Sequence, residues 1–443
     1  MELYQKYSTI LYKYIKNIKI FNVFQLLFFI YIFIIPFQHT AAIRNISLYL
    51  SMSIFLYLFI VKEIRINYKN IIFILFGLFF INSILSILIN QIDIAGSIKE
   101  LRTNLFEQFY ILVVVLSVFN TKEKTTQLLK ILIFSYIIIT CGALYEVVLN
   151  YINNELNIIL NTSNRDSFNF FNSFARLSVV YLPILFGYFL LNINVFLFKE
   201  KIFFSFIFLI SFFLMILYQS ESITIFLIVA LFISLLFKFK SKLKFIFFIF
   251  SLLILYIIII NKMMIYSKIT KELLSINHYN LDNPYALSGR VGLWKGTLIT
   301  LDNKKHILFG YGYGWKKLAL VAGKDKYKDI YKKTNNKIAY DYFNINMYGK
   351  NNPHNGYLEV LFTTGAINLV IFILIIVLSI YFCFKTNNEI SKYILLPVLI
   401  SYMLNNLTNG YWEGGFGKII MIIFAVSYLL YKESNEKTNL PSS

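Results

Sequence analysis

The residue types best suited to chemistry stand in two short polar motifs, Ser288-Gly289-Arg290 and Pro353-His354-Asn355-Gly356. In the second motif, Asn352 can cap a helix and Pro353 suits its first position, which places His354 over free backbone N–H groups. The positive end of the helix dipole disfavours an imidazolium, so we expect a neutral imidazole that can accept a proton from a hydroxyl group. A surface histidine at a helix start fits the same spacing.

Arg290 is the second candidate. It precedes an apolar helical face over Val291–Leu301 that includes Trp294. A guanidinium group binds phosphate oxygens in bidentate fashion and keeps its charge when partly dehydrated. An arginine at a membrane edge, with its charged end reaching water, fits this position equally well.

A third stretch, Gly310-Tyr311-Gly312-Tyr313-Gly314-Trp315, is rich in glycine. It follows no βαβ unit and is not followed by Lys-Ser or Lys-Thr, so neither known phosphate loop applies. We interpret it as a tight turn that returns the chain to a membrane. Its aromatic side chains could stack on sugar rings or lie in the membrane interface, and Gly312 is a candidate for substrate contact.

The composition requires a membrane. The chain has 443 residues, of which 58% are hydrophobic and 14% charged, and its mean hydropathy is +0.66. No soluble domain of this size has such a composition, and apolar runs of bilayer length recur throughout. We place twelve spans at residues 20–38, 46–62, 70–90, 105–120, 128–150, 177–198, 202–219, 222–238, 243–261, 362–384, 393–408 and 417–431.

Charge orients these spans, because Lys and Arg collect in cytoplasmic loops. One alternating set of segments, with both termini, holds twenty basic residues, whereas the opposite short loops hold six. The remaining sixteen lie in the long segment after span nine, and long loops cross a membrane regardless of charge. We therefore expect cytoplasmic termini and an outward-facing long segment. Its net charge of +10 suits an anionic ligand or anionic lipid headgroups.

The predicted fold is an all-α integral membrane protein with about twelve transmembrane helices and one large outer loop of short helices between spans nine and ten. The divisions are residues 1–261 for spans one to nine, 262–361 for the outer loop, 362–431 for the last three spans and 432–443 for a cytoplasmic tail. Two further polar residues fall on the outer side. Arg176 stands just before a span, where it would contact an anionic headgroup or extend its charged end to water. Glu221 lies in a very short turn between spans and would be solvated or face the site.

The remaining reactive residues point to no metal centre. Cys141 and Cys383 both fall inside spans, which suits packing better than a disulfide. The four histidines show no metal-ligand spacing. We expect no metal and no other cofactor.

Together these motifs resemble the O-antigen ligase and O-antigen polymerase family. The resemblance rests on Ser288-Gly289-Arg290 with Trp294, on Phe309-Gly310-x-Gly312-x-Gly314 and on His354-Asn355-Gly356-x-Leu358-Glu359 followed by Gly365. It covers residues 288–384 by motif and nearly the whole chain by layout. The family usually has another arginine in a Ser-Arg-Gly turn where this chain has Ser220-Glu221-Ser222. Arg176 is the candidate substitute.

The resemblance implies a multi-pass glycosyltransferase of the bacterial inner membrane whose site faces the periplasm. Its donor would be a glycan linked to undecaprenyl diphosphate, and its acceptor the lipid A–core of lipopolysaccharide. Arg290 would contact the diphosphate and His354 would activate the acceptor hydroxyl, with Arg176, Trp294, Gly312, Asn355 and Glu221 as further substrate contacts. Membrane lipids surround such an enzyme. No nucleic acid and no obligate protein partner are implied.

Two alternatives stay open. A repeat-unit polymerase would use the same donor but extend another lipid-linked glycan. A transporter or flippase of the lipid-linked glycan belongs to a different class, and transporters carry polar residues near the middle of the membrane. Few charged residues, such as Glu107 and Glu146, fall within the predicted spans here. This distribution favours an enzyme that works at the membrane surface.

Overall fold

The structure is a computed structural model that is helical throughout its described residues. These are residues 20–153, 169–218, 221–238, 287, 289–344, 346, 352–410, 412 and 414–438. The first part of the chain forms apolar helices. They are α1 Ile20–Ile34, α2 Ala41–Ile60, α3 Ile71–Asn90, α4 Ile94–Val118, α5 Lys122–Ile152, α6 Asn169–Asn192, α7 Phe198–Tyr218 and α8 Glu221–Lys238.

Short helices follow in the polar segment. They are α9 Arg290–Thr300, α10 Lys304–Phe309, α11 Leu318–Ala322, α12 Asp325–Lys333 and α13 Lys337–Tyr342. We call residues 289–344 the polar helical unit. The chain then returns to apolar helices, which are α14 Gly356–Lys385, α15 Leu396–Asn405 and α16 Gly414–Thr438. The prediction that the described part of the long segment forms short helices is therefore confirmed.

Eight of these helices are long and apolar enough to cross a membrane, namely α2 to α7, α14 and α16. The predicted spans at 20–38, 222–238 and 393–408 coincide with the shorter helices α1, α8 and α15. The predicted span at 243–261 lies outside the described residues. A multi-pass membrane protein is thus confirmed, whereas the number of twelve spans stays a prediction.

The polar helical unit has a small core of its own. Its buried members lie on successive short helices and pack together with one residue of α14: Leu293, Leu301, Tyr311, Leu318, Val321, Ala322, Tyr327, Tyr331, Ala339, Phe343 and Phe362. Tyrosine hydroxyls and an amide also bind backbone carbonyls of α9, as Tyr331 donates to Gly296 at 2.9 Å and Asn336 donates to Gly292 at 2.9 Å. These hydrogen bonds satisfy buried carbonyls of α9 inside the unit.

A break in α14 joins the polar helical unit to the apolar helices. Gly365 has φ 83° and ψ −180°, so its conformation is not helical and the hydrogen-bond ladder is interrupted there. The carbonyls that the break exposes find other donors. Tyr311 N–H donates to the Phe362 oxygen at 2.8 Å and the Ser86 hydroxyl donates to the Thr363 oxygen at 3.0 Å. Orphan carbonyls at a helix end must be satisfied in this way.

Two glycines make this contact possible. A Cβ on Gly365 would stand 2.1 Å from the Leu308 oxygen, and a Cβ on Gly310 would stand 2.5 Å from the carbonyl carbon of Thr363. Both residues also have positive φ angles, which glycine adopts without steric cost. The turn around Gly310 and the break at Gly365 therefore pack backbone against backbone.

Replacing Gly365 with alanine should destabilise the protein. The backbone conformation of Gly365, with positive φ and extended ψ, alone costs about 1–3 kcal/mol for an L-residue, and the new methyl group must displace the backbone of Leu308. Gly77→Ala is the matched control, because Gly77 lies in helix α3 and has nothing within 4 Å of its Cβ position. Thermal unfolding in detergent should show a lower midpoint for Gly365→Ala only. Equal midpoints for the two variants would show that the break does not stabilise the fold.

Candidate active site

His354 is held in a connection that docks on the turn after α15. The backbone N–H of Gly356 donates to the oxygens of Asn406 at 2.8 Å and Asn409 at 3.1 Å. A Cβ on Gly356 would stand 2.0 Å from the Asn406 side chain, so only glycine allows this approach. His354 itself has φ 50°, and its backbone N–H donates to the side chain of Asn352 at 2.9 Å. A positive φ outside glycine is uncommon and calls for a structural or functional reason.

The prediction of a helix capped by Asn352 and begun by Pro353 is wrong. The cap is Asn355, whose side-chain oxygen accepts from Leu358 N–H at 3.0 Å, and α14 begins at Gly356. The docking of Gly356 on Asn406 fixes the helix start three residues later than sequence pattern suggested. His354 therefore precedes the helix and does not belong to its first turn.

The imidazole of His354 is neutral at physiological pH. Burial and, to a lesser extent, the positive charges of Arg290 and Arg176 together lower the pKa of His354 to about 4. The expected neutral state thus has a different cause from the helix dipole that the sequence suggested. The Nε2 atom lies 2.9 Å from the hydroxyl oxygen of Tyr342.

Arg290 and Arg176 come from distant elements. Arg290 is the first residue of α9, directly after Gly289, whose φ of 83° is left-handed. Arg176 lies within α6, about two turns from its start, whereas the sequence placed it before the span. Both charges act on His354, so the structure brings three of the predicted site residues into one electrostatic environment.

Glu146 fixes the start of the helix that carries Arg176. Its two carboxylate oxygens accept from the backbone N–H groups of Phe170 at 3.1 Å and Phe171 at 2.9 Å. A carboxylate at a helix N-terminus satisfies free donors and complements the dipole. The charge of Glu146 in a predicted span is thereby explained, because it positions Arg176.

Trp294 lies one turn after Arg290 on α9. Its ring is half-buried, and its Nε1–H is buried without a hydrogen-bond partner among the described residues. An unsatisfied buried indole donor is suited to a ligand that presents an oxygen acceptor. Trp294 therefore remains a candidate for substrate contact.

Three more residues were predicted to contact the substrate, and two of them have structural roles. Asn355 uses both polar atoms on the backbone, since its amide nitrogen also donates to the Leu407 oxygen at 2.9 Å. Gly312 has φ 95°, and its N–H donates to the Ser86 hydroxyl at 3.0 Å, which ties the turn to helix α3. Glu221 begins α8, but its side chain lies outside the described residues. Substrate contact by these three residues stays a prediction.

Sequence reasoning missed Tyr342. It ends α13, twelve positions before His354, and its hydroxyl is the one hydrogen-bonding group that the described residues bring to the imidazole. Burial raises the pKa of Tyr342 to about 12, so its hydroxyl stays protonated at physiological pH. No motif or periodicity in the polar segment signals this contact.

A second polar cluster lies among the apolar helices. The Glu107 carboxylate on α4 pairs with Lys418 of α16 at 2.7 Å and accepts from the Tyr31 hydroxyl at 2.7 Å. The positive charge of Arg44 also acts on Lys418. This cluster therefore joins four helices around a buried ion pair.

A family model matches part of the chain. Residues 206–373, less than half of the sequence, match the model described as O-antigen ligase. The matched segment contains Arg290, Trp294 and His354, while Arg176 lies upstream of it. The match agrees with the family that the three sequence motifs resemble. No curated protein and no solved structure matches the chain.

Removing the charge of Arg290 should raise the pKa of His354. Loss of a nearby cation stabilises the imidazolium, so the pKa should move up from about 4, while the remaining burial should keep it below its ordinary value of 6.5. A titration of the His354 signal by NMR in nanodiscs would measure this shift for Arg290→Gln. The matched control is Lys295→Gln, an exposed cation on the same helix. An unchanged pKa in Arg290→Gln would contradict the proposed convergence of charges.

Proposed function

We propose that this protein transfers a glycan from undecaprenyl diphosphate to an acceptor hydroxyl group. The observation that carries the proposal is the neutral imidazole of His354 under the positive charges of Arg290 and Arg176. Two cations suit a diphosphate, and a neutral imidazole beside them suits a hydroxyl that must lose a proton. The family match supports a lipid-linked glycan as the substrate class.

The residues would divide the reaction as follows. Arg290 and Arg176 bind the diphosphate and offset the charge that grows on it as the bond to the sugar C1 breaks. His354 takes the proton of the acceptor hydroxyl while the acceptor oxygen attacks C1 from the opposite side. The new bond therefore has the inverted anomeric configuration. Lipid diphosphate leaves as an anion, and no metal or nucleotide is needed once the arginines offset its charge.

The acceptor defines which family member this is. We propose the lipid A–core of lipopolysaccharide, which makes the protein an O-antigen ligase at the outer face of the bacterial inner membrane. A polymerase would use the same donor and the same three residues with a second lipid-linked repeat unit as acceptor. Glycan analysis of a deletion strain separates the two. Lipid-linked polymer without core attachment supports the ligase, and core with a single repeat unit supports the polymerase.

Replacing His354 with alanine should lower the transfer rate by about 10²–10⁴-fold, the usual effect of losing a positioned base. Donor binding should persist, because both arginines remain. The assay measures transfer and donor affinity in nanodiscs with excess EDTA and no nucleotide. His306→Ala is the matched control, since His306 is a histidine of the polar helical unit that pairs with Asp302 at 3.1 Å. Near-normal transfer by His354→Ala would refute the assignment of the base.

Arg290→Lys belongs to the same assay and probes the diphosphate contact. Lysine keeps the charge but presents a single ammonium group, so it cannot replace a bidentate fork. Both donor affinity and transfer should therefore fall. A variant with normal donor affinity would show that Arg290 holds no phosphate.

A further inference from the structure

The hydrogen bond between Tyr342 and His354 bears on which imidazole nitrogen is the base. The Tyr342 hydroxyl oxygen lies 2.9 Å from Nε2, and the ring centroids are 6.2 Å apart. The Nδ1 atom has no hydrogen-bond partner among the described residues. Among the described residues, one nitrogen of the imidazole is thus held by a side chain and the other is not.

Tyr342 is itself held rigidly. It ends α13, whose start is capped by the side-chain oxygen of Asn336, which accepts from Ala339 N–H at 3.1 Å. Its neighbour Phe343 is buried in the core of the polar helical unit. A Cβ added at Gly296 would stand only 2.5 Å from the Cβ of Ala339. Helix α13 therefore packs closely on α9, the helix that begins with Arg290. The hydroxyl of Tyr342 is therefore placed by the same helix pair as Arg290.

Two arrangements of hydrogens satisfy this contact, because a neutral imidazole carries one proton. If the tyrosine donates to Nε2, the proton of the ring is on Nδ1 and neither nitrogen can accept a proton from the acceptor hydroxyl. If Nε2–H donates to the tyrosine oxygen, the lone pair of Nδ1 is free. Only the second arrangement allows direct general-base catalysis while Tyr342 stays in place.

We infer that Tyr342 is the positioning residue of His354. The Tyr342 hydroxyl oxygen accepts a hydrogen bond from Nε2–H of His354, which leaves Nδ1 as the nitrogen that takes the proton of the acceptor hydroxyl. This inference rests on the proposed transfer reaction. The logic is that of other catalytic bases, whose second nitrogen is held by a third group that fixes tautomer and orientation.

The proton balance is simple. The acceptor O–H proton moves to Nδ1, the acceptor oxygen bonds to the sugar C1, and the C1–oxygen bond to the diphosphate breaks. His354 becomes an imidazolium whose Nε2–H still donates to Tyr342. Tyr342 neither gains nor loses a proton, in keeping with its protonated hydroxyl at physiological pH. The imidazolium later returns its proton to water.

The first test reads the tautomer directly and needs no catalysis. Full-length protein with ¹⁵N-labelled histidine in nanodiscs gives separate signals for protonated and unprotonated ring nitrogens. The His354 signals are assigned by their loss in His354→Ala. At pH 7 we expect a protonated Nε2 and an unprotonated Nδ1, with the two tautomers mixed in Tyr342→Phe. A protonated Nδ1 in the unaltered protein would overturn the inference.

The second test is kinetic. Tyr342→Phe keeps the ring but removes the hydroxyl, and kcat should fall about 10–100-fold because a hydrogen bond to a charged imidazolium is lost. KM for the donor should not change. Tyr340→Phe is the matched control, because Tyr340 is a half-buried tyrosine of the same helix. A normal kcat for Tyr342→Phe would overturn the inference.

A third measurement separates the two nitrogens. Histidine methylated on Nδ1, incorporated at position 354, blocks the proposed base atom and leaves Nε2 unsubstituted. We expect this protein to be as inactive as His354→Ala. Activity with this residue would show that Nε2 is the base, reached directly or through the tyrosine. If the unaltered protein transfers no glycan, the proposed function fails, and if His354→Ala is active, His354 is not the base. An inactive His354→Ala with a normal Tyr342→Phe refutes the role of the tyrosine alone.

Discussion

The close packing of Gly365 on the backbone of Leu308 joins the two parts of the chain that carry Arg290 and His354. A Cβ at Gly365 would stand 2.1 Å from the Leu308 oxygen, so the two backbones can touch only because Gly365 has no side chain. It connects the polar helical unit, which carries Arg290 and Tyr342, with α14, which follows His354. The Ser86 hydroxyl reinforces it from helix α3 by donating to Thr363 and accepting from Gly312. A small backbone junction thereby ties the polar helical unit to the helix that follows His354.

The electrostatics of the site depend on what occupies it. Burial disfavours a charged His354, and the positive charges of Arg290 and Arg176 add to this effect. A bound diphosphate would offset the two cations and raise the pKa of the imidazole, which makes His354 a stronger base. In the proposed reaction, donor binding therefore prepares the base before the acceptor is deprotonated. In the proposed reaction, the two arginines that bind the donor also favour the neutral imidazole of His354 in the free enzyme.

The sequence predicted much of this arrangement because the signals were local. Long apolar runs marked the membrane helices, and spacing marked the short helix after Arg290. The type of residue singled out Arg290, His354 and Arg176, and a glycine motif predicted the turn at residues 310–314. The family match over residues 206–373 agrees with the family that these motifs resemble.

The parts that sequence could not predict depend on contacts between distant segments. The cap moved from Asn352 to Asn355 because Gly356 binds the oxygen of Asn406, about fifty residues later. The backbone N–H of Gly312 donates to the Ser86 hydroxyl and so attaches the turn to helix α3, a contact that no local pattern indicates. The partner of His354, Tyr342, lies in a stretch rich in tyrosine, where sequence gives no reason to choose one hydroxyl over another. Only packing selects it.

The central claim is that one site holds the donor diphosphate between Arg290 and Arg176 and beside His354. Cryo-electron microscopy of the full-length protein in nanodiscs with undecaprenyl diphosphate tests this claim most directly. The account predicts phosphate density within hydrogen-bonding distance of both guanidinium groups and next to the imidazole of His354. Phosphate density at the separate cluster of Arg44 and Lys418, with none at Arg290, would contradict it.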